Sequence, residues 1–336
     1  MWLILLTLCF LPSSLWAETS ILFADGYYGK VYRVFSGGKI EDIGFDFKLR
    51  GYQGSVHEGS NAPRPSPNRR YIAFVRNEDL WLLDLDTRGT AQVTRVAKPY
   101  TRQYTAIHVL MTDWSADSRE ILYSVSPVDN MDGLPARPAN YGFHIYQLET
   151  RKTRQINLPG HYLAWLPGGD FLLVSSEEKP LEKRLLRFTA GDAEPKAVAK
   201  QRGWYGEVRV SGDGRWIVAA LPQGSPNESV SQIVKIDLAN GDMTNITPKG
   251  KFAEYQSPRF SPSGRYISYI RNQGTASSKW RKATLMVDRK PLQEIVGYLK
   301  HEWIDEQSIV FLNRKLKELV VLDSNSGEAK GRRKLQ

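Results

Sequence analysis

The chain has 336 residues, a formal net charge of +10 and one cysteine, Cys9. Because Cys9 lies in the first 17 residues, disulfide and thiolate chemistry are excluded from residues 18–336. The excess of Lys and Arg favours acidic partners such as anionic glycans, lipid head groups or acidic proteins.

The N-terminal segment predicts export. Residues 1–17 carry no charge, and a mostly apolar run from Trp2 to Leu11 is followed by Pro12, two serines and Ala17. This pattern is typical of a secretory signal peptide with cleavage near Ala17. We therefore expect a single domain over 18–336 in the periplasm or outside the cell, where nucleic acid is not a partner. An uncleaved membrane anchor is the alternative.

Three apolar, strand-like segments come next, at 21–24, 30–35 and 39–43. They have the pattern of the second, third and fourth strands of a four-stranded unit, with no first strand before them. Leu22 precedes Ile72 by one period of the repeat that follows, so the three segments predict an incomplete first unit.

From residue 65 onwards an aromatic or Pro-led segment, a tight turn and an apolar strand recur six times. The segments begin at Pro65, Trp114, Trp165, Val210, Phe260 and Trp303. A period of roughly 40 to 50 residues with several short strands is typical of a β-propeller. The sequence thus predicts an all-β propeller of about seven four-stranded blades with the first incomplete. Six blades plus an N-terminal hairpin is the alternative.

Within each unit, strand, tight turn, strand, variable loop, strand, tight turn and strand follow in order. The unit at Phe260 predicts strands at 256–261, 266–270, 283–287 and 292–296. Gly214, Gly264, Gly241 and Gly327 supply the positive φ angles that tight hairpin turns require.

The strand order separates two faces of the predicted disc. The turns from first to second and from third to fourth strand lie on one face, and all other connections lie on the opposite face. The long insertions fall on that opposite face, at 47–63, 97–112, 127–142, 176–183, 200–206, 221–231, 248–256 and 271–282. Rigid frames carry binding surfaces on such loops.

Aromatic and basic residues are frequent in these loops. Tyr and Trp provide rigid contact area, and Arg and Lys pair with anions. The candidate binding residues are Tyr100, Arg102, Tyr104, Tyr162, Trp204, Tyr205, Tyr255, Trp280, Arg281, Lys282 and His301. The alternative for any one of them is packing beneath a loop or simple solvation.

The sequence provides little support for an enzyme. It contains no Gly-x-Ser-x-Gly elbow, no His-Glu-x-x-His motif and no phosphate-binding Gly-rich loop. No two histidines are spaced as a local metal pair, and the polar loop at 129–133 lacks the remaining calcium ligands. We therefore predict no catalytic residue, no metal site and no cofactor.

Two segments carry a resemblance to a known family. The runs from Phe260 to Tyr269 and from Trp114 to Tyr123 resemble the WD40-like (PD40) repeat of TolB propellers, a pattern of roughly Phe-Ser-Pro-Asp-Gly-x-x-Ile-Ala-Phe. The resemblance covers about residues 20–335. TolB proteins look like a small α/β domain followed by six blades, and this sequence has no room for that first domain. The resemblance implies a propeller fold, and the same repeat occurs in interaction proteins, peptidase domains and some lyases.

Two functions are compatible with these features. The first is a non-enzymatic cell-envelope scaffold that binds a protein or peptide partner over its long loops, as a monomer with at most peripheral membrane association. The second is an anionic-glycan-binding protein or polysaccharide lyase that uses the same residues.

Overall fold

The computed structural model describes most of the chain, and the account below concerns those residues. They are 18–25, 30–45, 47, 63–77, 79–95, 107–127, 142–175, 183–199, 202–203, 205–222, 231–248, 254–273, 282–296, 299–313 and 315–335. All their regular structure is β-strand. None of it is a helix that could cross a membrane.

Seven antiparallel sheets follow one another along the chain. Blade 1 has three strands, β1 (Ser20–Asp25), β2 (Lys30–Phe35) and β3 (Ile40–Asp42). Blade 2 has β4 (Arg64–Pro65), β5 (Tyr71–Arg76), β6 (Asp79–Asp84) and β7 (Thr90–Gln92). Blade 3 has β8 (Ile107–Trp114), β9 (Glu120–Pro127), β10 (Gly142–Gln147) and β11 (Lys152–Ile156).

The remaining four blades repeat the same order. Blade 4 has β12 (His161–Trp165), β13 (Phe171–Val174), β14 (Leu185–Phe188) and β15 (Lys196–Ala197). Blade 5 has β16 (Gly206–Val210), β17 (Trp216–Pro222), β18 (Ser231–Asp237) and β19 (Met243–Asn245). Blade 6 has β20 (Glu254–Phe260), β21 (Ile267–Gln273), β22 (Lys282–Val287) and β23 (Lys290–Val296). Blade 7 has β24 (Leu299–Asp305), β25 (Ser308–Asn313), β26 (Glu318–Asp323) and β27 (Ala329–Lys334).

The core is divided among the junctions between blades. Each of the seven junctions, including the one between blades 7 and 1, holds its own cluster of buried apolar side chains. The near-continuous apolar runs of the middle strands follow from this arrangement, since both faces of each blade are covered. The predicted seven-bladed propeller is confirmed, and the described residues of blade 1 form three strands. The segments 21–24, 30–35 and 39–43 form a blade of the ring and not an accessory hairpin.

A recurrent serine stabilises the first tight turn of several blades. The Ser66 hydroxyl accepts a hydrogen bond from the Tyr71 amide at 2.9 Å, and Ser115 accepts one from the Glu120 amide at the same distance. The fourth position of this turn has positive φ, at 74° for Gly264 as predicted. Arg69 adopts the same conformation, with φ of 61°. The turn geometry is therefore kept even where glycine is absent.

The strand ends confirm the two predicted faces. On one side, the tight-turn face, every connection is short, the longest running from 189 to 195. On the other side, the loop-bearing face, are the long connections, 43–63, 93–106, 128–141, 175–184, 198–205, 223–230, 246–253 and 274–281. The predicted loop 97–112 ends too late, because β8 already begins at Ile107. Likewise β20 begins at Glu254, within the predicted loop 248–256.

Candidate functional site: the central channel and the loop-bearing face

The first strand of each complete blade lines the axis of the ring and carries one recurrent position. This residue directly precedes the aromatic or apolar residue that starts the repeat motif. The residues at this position in blades 2 to 7 are Arg64, Asp113, Ala164, Arg209, Arg259 and Glu302. One edge of each innermost strand faces the channel and pairs with no other strand of its sheet. Polar side chains at that edge can therefore contact the water of the channel. The channel is accordingly lined with charge.

Arg259 and Glu302 join blades 6 and 7. The Arg259 Nε donates a hydrogen bond to Glu302 Oε1 at 3.0 Å, and its Nη1 donates to the Pro258 carbonyl at 2.9 Å. Burial alone would raise the pKa of the Glu302 carboxyl, but the positive charges of Arg259 and Arg209 lower that pKa below its usual value. The Glu302 side chain remains 37% exposed, so this ionised carboxylate faces channel water.

A second guanidinium lies beside this pair. Arg209 is enclosed by the channel wall yet keeps exposed surface towards its water, and its Nη1 donates to the Val208 carbonyl at 2.8 Å. The charge of Arg259, together with burial, lowers the pKa of Arg209 to about 10. Arg209 therefore still carries its charge at neutral pH. The negative charges of Glu302 and Glu207 act in the opposite direction and raise the pKa of Arg209, so they partly offset the effect of Arg259.

The opposite wall of the channel is held by a tyrosine. The Tyr162 hydroxyl of β12 donates a short hydrogen bond to the Asp113 carboxylate of β8. Burial and the negative charge of Asp113 raise the pKa of Tyr162 well above its usual value, whereas the charge of Arg64 acts in the opposite direction. The charge of Arg64, on β4 of blade 2, thus acts on Tyr162 as well. Tyr162 acts as a neutral donor that fixes the Asp113 carboxylate.

His301 lies behind the channel wall and is completely buried. Its Nε2 is 2.8 Å from the Ser268 hydroxyl, which also accepts a hydrogen bond from Trp303 Nε1 at 2.8 Å. Burial, reinforced by the charge of Arg259, lowers the pKa of His301 to about 3. The imidazole is therefore neutral, and its contacts join β21 of blade 6 to β24 of blade 7.

The predicted binding residues lie in different parts of the chain and of the structure. Six lie outside the described residues, namely Tyr100, Arg102, Tyr104, Trp204, Trp280 and Arg281. Lys282 is exposed where β22 starts, at the loop-bearing end of blade 6. Tyr162 belongs to the channel wall described above, and His301 lies buried behind that wall. A binding role for these residues stays a prediction.

Tyr205 and Tyr255 lie in the core of the blades. Tyr205 is 2% exposed in the junction of blades 4 and 5, and burial raises its pKa to about 12. The ring of Tyr255 packs edge-on against Tyr269 with centroids 5.8 Å apart. Both side chains stabilise the junctions, and neither presents its ring to the surface.

The described acidic and histidine side chains lie apart from one another. Among the described residues no group of three or more His, Cys, Asp or Glu side chains converges as a metal site would require. The carboxylates of Asp113 and Glu302 each accept a hydrogen bond from a side chain of a neighbouring blade, and arginines carry the positive charge of the channel. Such an arrangement is suited to binding and orienting a charged ligand.

The comparisons with known proteins concern the fold. No model of a protein family matches the sequence, and neither does any curated protein. The structure is similar to TolB from Acinetobacter baumannii, with a TM-score of 0.50 and 16% identity over 81% of this chain and 61% of that one. It is also similar to Porphyromonas gingivalis dipeptidyl peptidase 4, with a TM-score of 0.52 and 14% identity over 93% of this chain and 50% of that one.

A third similar structure is Kuenenia stuttgartiensis hydrazine synthase, with a TM-score of 0.52 and 12% identity over 82% of this chain and 81% of that one. The chain thus spans less than two thirds of the TolB and peptidase chains it matches. The fold is a TolB-like β-propeller, as the repeat motif suggests. The different names of these proteins show that one propeller fold accompanies several activities.

Proposed function

We propose that the protein is an exported, non-enzymatic propeller scaffold that binds a protein or peptide partner over its loop-bearing face and the adjoining mouth of the channel. The observation that carries this proposal is the strict separation of connections, since every long one joins strand ends on the same face. A rigid ring that presents variable loops on one face only is suited to recognition. The formal charge of +10 favours an acidic partner.

The test compares two charge-reversal variants that change net charge equally. The first replaces Arg102, Arg281 and Lys282 by Glu on the loop-bearing face. The control replaces Arg69, Arg119 and Arg265, all exposed beside the tight turns. The control variant should remain folded, because exposed charges contribute little to stability, and the thermal midpoint of each variant establishes that it is folded.

Capture of partners from an envelope extract should be weakened by the first set only, and increasingly so as salt screens the remaining charges. Equal capture by the two variants would refute the assignment of the face. N-terminal sequencing of the exported protein should begin at Glu18, and an intact N-terminus would refute cleavage.

The arginines of the channel favour a second candidate, an anionic-glycan binder or lyase that uses the same mouth. Arg64, Arg209 and Arg259 provide the positive charge that uronate carboxylates require. Calorimetric titration with polygalacturonate, together with ultraviolet detection of unsaturated products, separates the two candidates. Glycan binding that is lost in Arg209→Gln would favour the second candidate, and glycan cleavage would make the protein an enzyme.

A further inference from the structure

The connection from β25 to β26 carries an exposed apolar side chain. Leu316 is 50% exposed, and among the residues that the structure describes it is the one large apolar side chain that is exposed. Because β25 and β26 are the second and third strands of blade 7, their connection lies on the loop-bearing face. A single exposed leucine is ordinary on a protein surface, so its surroundings decide whether it has a role.

The backbone holds Leu316 in this position. Its amide donates a hydrogen bond to Asn313 Oδ1 at 3.1 Å, and the Leu335 amide donates to the Lys317 carbonyl at 2.7 Å. Asn313 and Leu335 are both 7% exposed, so the two anchors of the turn are buried. Lys317 has a positive φ of 49°, which turns the chain back into β26. Leu316 is therefore presented by the fold, and little backbone entropy would be lost when it contacts another surface.

Three lysines surround Leu316. Lys315 and Lys317 precede and follow it, and both are exposed. Lys334, the last residue of β27, lies opposite Glu318 in the strand ladder and is also exposed. Its Nζ is 3.4 Å from the Leu316 carbonyl, which brings a third ammonium group to the same turn. Leu316 and the three lysines form the blade 7 tip, an apolar side chain inside a collar of positive charge.

The carboxylates of the same strands do not neutralise the blade 7 tip. Glu318, at the loop-bearing end of β26, accepts a hydrogen bond from Arg332 Nη1 at 3.4 Å. Asp323 and Glu328 lie at the opposite end of β26 and β27, where Lys330 Nζ is 3.3 Å from Asp323 Oδ2. Charge is therefore separated along the two strands, with the positive excess at the loop-bearing face. Such a separation attracts a negatively charged surface.

The residue types of the blade 7 tip favour a lipid surface over a protein surface. Lysine is depleted in the cores of protein–protein interfaces, where aromatic residues and arginine are enriched. A lipid surface requires no fixed geometry, because the long alkyl stems of lysines can lie along an apolar layer while their ammonium groups stay at the level of the head groups. An apolar side chain within such a group can enter the boundary of the acyl chains.

We propose that the blade 7 tip is a contact site for an anionic lipid surface, in which Leu316 enters the boundary of the acyl chains and the three lysines contact the lipid phosphates. Each lysine near such a surface contributes an attraction that salt screens. The contact would place the loop-bearing face of the disc towards the membrane. The inference goes beyond the proposed function, because it requires no protein partner.

Co-sedimentation of the exported protein with lipid vesicles tests the contact. The vesicles contain phosphatidylcholine with phosphatidylglycerol, and vesicles of phosphatidylcholine alone are the control. Partition onto the mixed vesicles should be at least about tenfold stronger and should weaken as salt rises, because the lysines contribute to it. Equal partition onto the two kinds of vesicle, or absence of binding to both, would overturn the proposal.

Matched variants separate the charge from the apolar side chain. Lys315→Gln and Lys334→Gln should each weaken partition onto mixed vesicles about fivefold, which is about 1 kcal/mol. Lys152→Gln, which removes an exposed charge on the tight-turn face, should leave partition unchanged. Leu316→Ala should also weaken partition at least about fivefold but should keep the same salt dependence. The thermal midpoint of each variant establishes that it is folded, and lysine variants that partition like Lys152→Gln would contradict the assignment.

A single fluorescent label locates the contact. In a chain with Cys9→Ser, Leu316→Cys carries the label at the blade 7 tip, and Asn325→Cys carries it at the tight-turn end of the same strands. An environment-sensitive label at position 316 should shift its emission to shorter wavelength with mixed vesicles, whereas the label at position 325 should not. A shift at position 325 alone would mean that the opposite face meets the lipid, and the proposal would be wrong.

Two further results distinguish this inference from the proposed function. If the protein does not bind vesicles while Lys315→Gln and Lys334→Gln lose capture of partners from an envelope extract, the blade 7 tip is a protein contact and the lipid assignment is wrong. If vesicle partition fails but partner capture still depends on Arg102, Arg281 and Lys282, the proposed function stands and only the lipid contact fails.

Discussion

Stability should fall at mildly acidic pH because of one buried histidine. His301 is completely buried and its pKa is lowered to about 3, against an ordinary value of 6.5. In the unfolded chain it takes up a proton as pH drops below about 6.5, but in the folded chain it stays neutral until about pH 3. Protons therefore favour the unfolded state, and the contribution of His301 is complete above about pH 6.5 and is lost progressively below it.

The magnitude follows from linkage. Between about pH 8 and about pH 5, His301 alone should lower the free energy of unfolding by about 2 kcal/mol. The variant His301→Gln keeps an amide able to contact Ser268 but cannot titrate, so its stability should depend less on pH by that amount. Urea unfolding monitored by tryptophan fluorescence at both pH values, for both proteins, provides the comparison.

The comparison uses the change in the free energy of unfolding with pH and not its absolute value, because the substitution itself costs stability at every pH. A wild-type protein and a His301→Gln variant with the same pH dependence would refute the reasoning. So would an NMR titration in which the His301 ring protonates near its ordinary pKa. The second result would mean that water reaches the imidazole behind the channel wall.

Three further substitutions test the turns, the junctions and the channel. Arg69→Gly should stabilise the protein by about 0.5–1 kcal/mol, and Gly264→Ala should cost about 1 kcal/mol, since both positions have left-handed backbone. Thermal midpoints that shift in the same direction and by the same amount in the two variants would contradict this. Trp114→Ala should cost about 3–5 kcal/mol because the side chain is 6% exposed and donates to the Arg64 carbonyl of the preceding blade. Phe260→Ala should cost less, because Phe260 is only partly buried; chemical denaturation compares the two. Tyr162→Phe should cost about 1–3 kcal/mol, since it removes the hydroxyl that donates to Asp113 Oδ2. An unchanged unfolding midpoint would show that water replaces the hydroxyl.

The repeat could be predicted from the sequence because its signals are local. The tight turn before Ile267 requires a residue with positive φ, and Gly264 in the motif marks it directly. The three strands of the first blade also followed from local signals, since Leu22 stands one period before Ile72. Period and turn chemistry together were sufficient for blade number, strand order and the two faces.

The channel could not be predicted in the same way, because candidate residues were chosen by loop position and aromatic character. Tyr255 was assigned to a loop, yet β20 begins one residue earlier and buries the ring against Tyr269. Arg209 and Arg259 carried a usable signal, since each directly precedes the residue that starts its repeat motif. To use this signal, one must know that the first strand of each blade lies at the axis of the ring. There the residue before each repeat motif comes close to the equivalent residues of other blades.

The closure of the ring depends on the described strands of blade 1. These three strands bury apolar side chains against both neighbours, with Phe23, Tyr32 and Val34 facing blade 7 and Ala24 and Val31 facing blade 2. In the other blades the first strand also contributes to the junctions, as Trp114 and Val208 do. Among the described residues, β1 and β2 supply the apolar contacts of blade 1 in both of its junctions. Because burial of apolar area provides most of the stability, these contacts are sufficient to join blade 7 to blade 2 through blade 1.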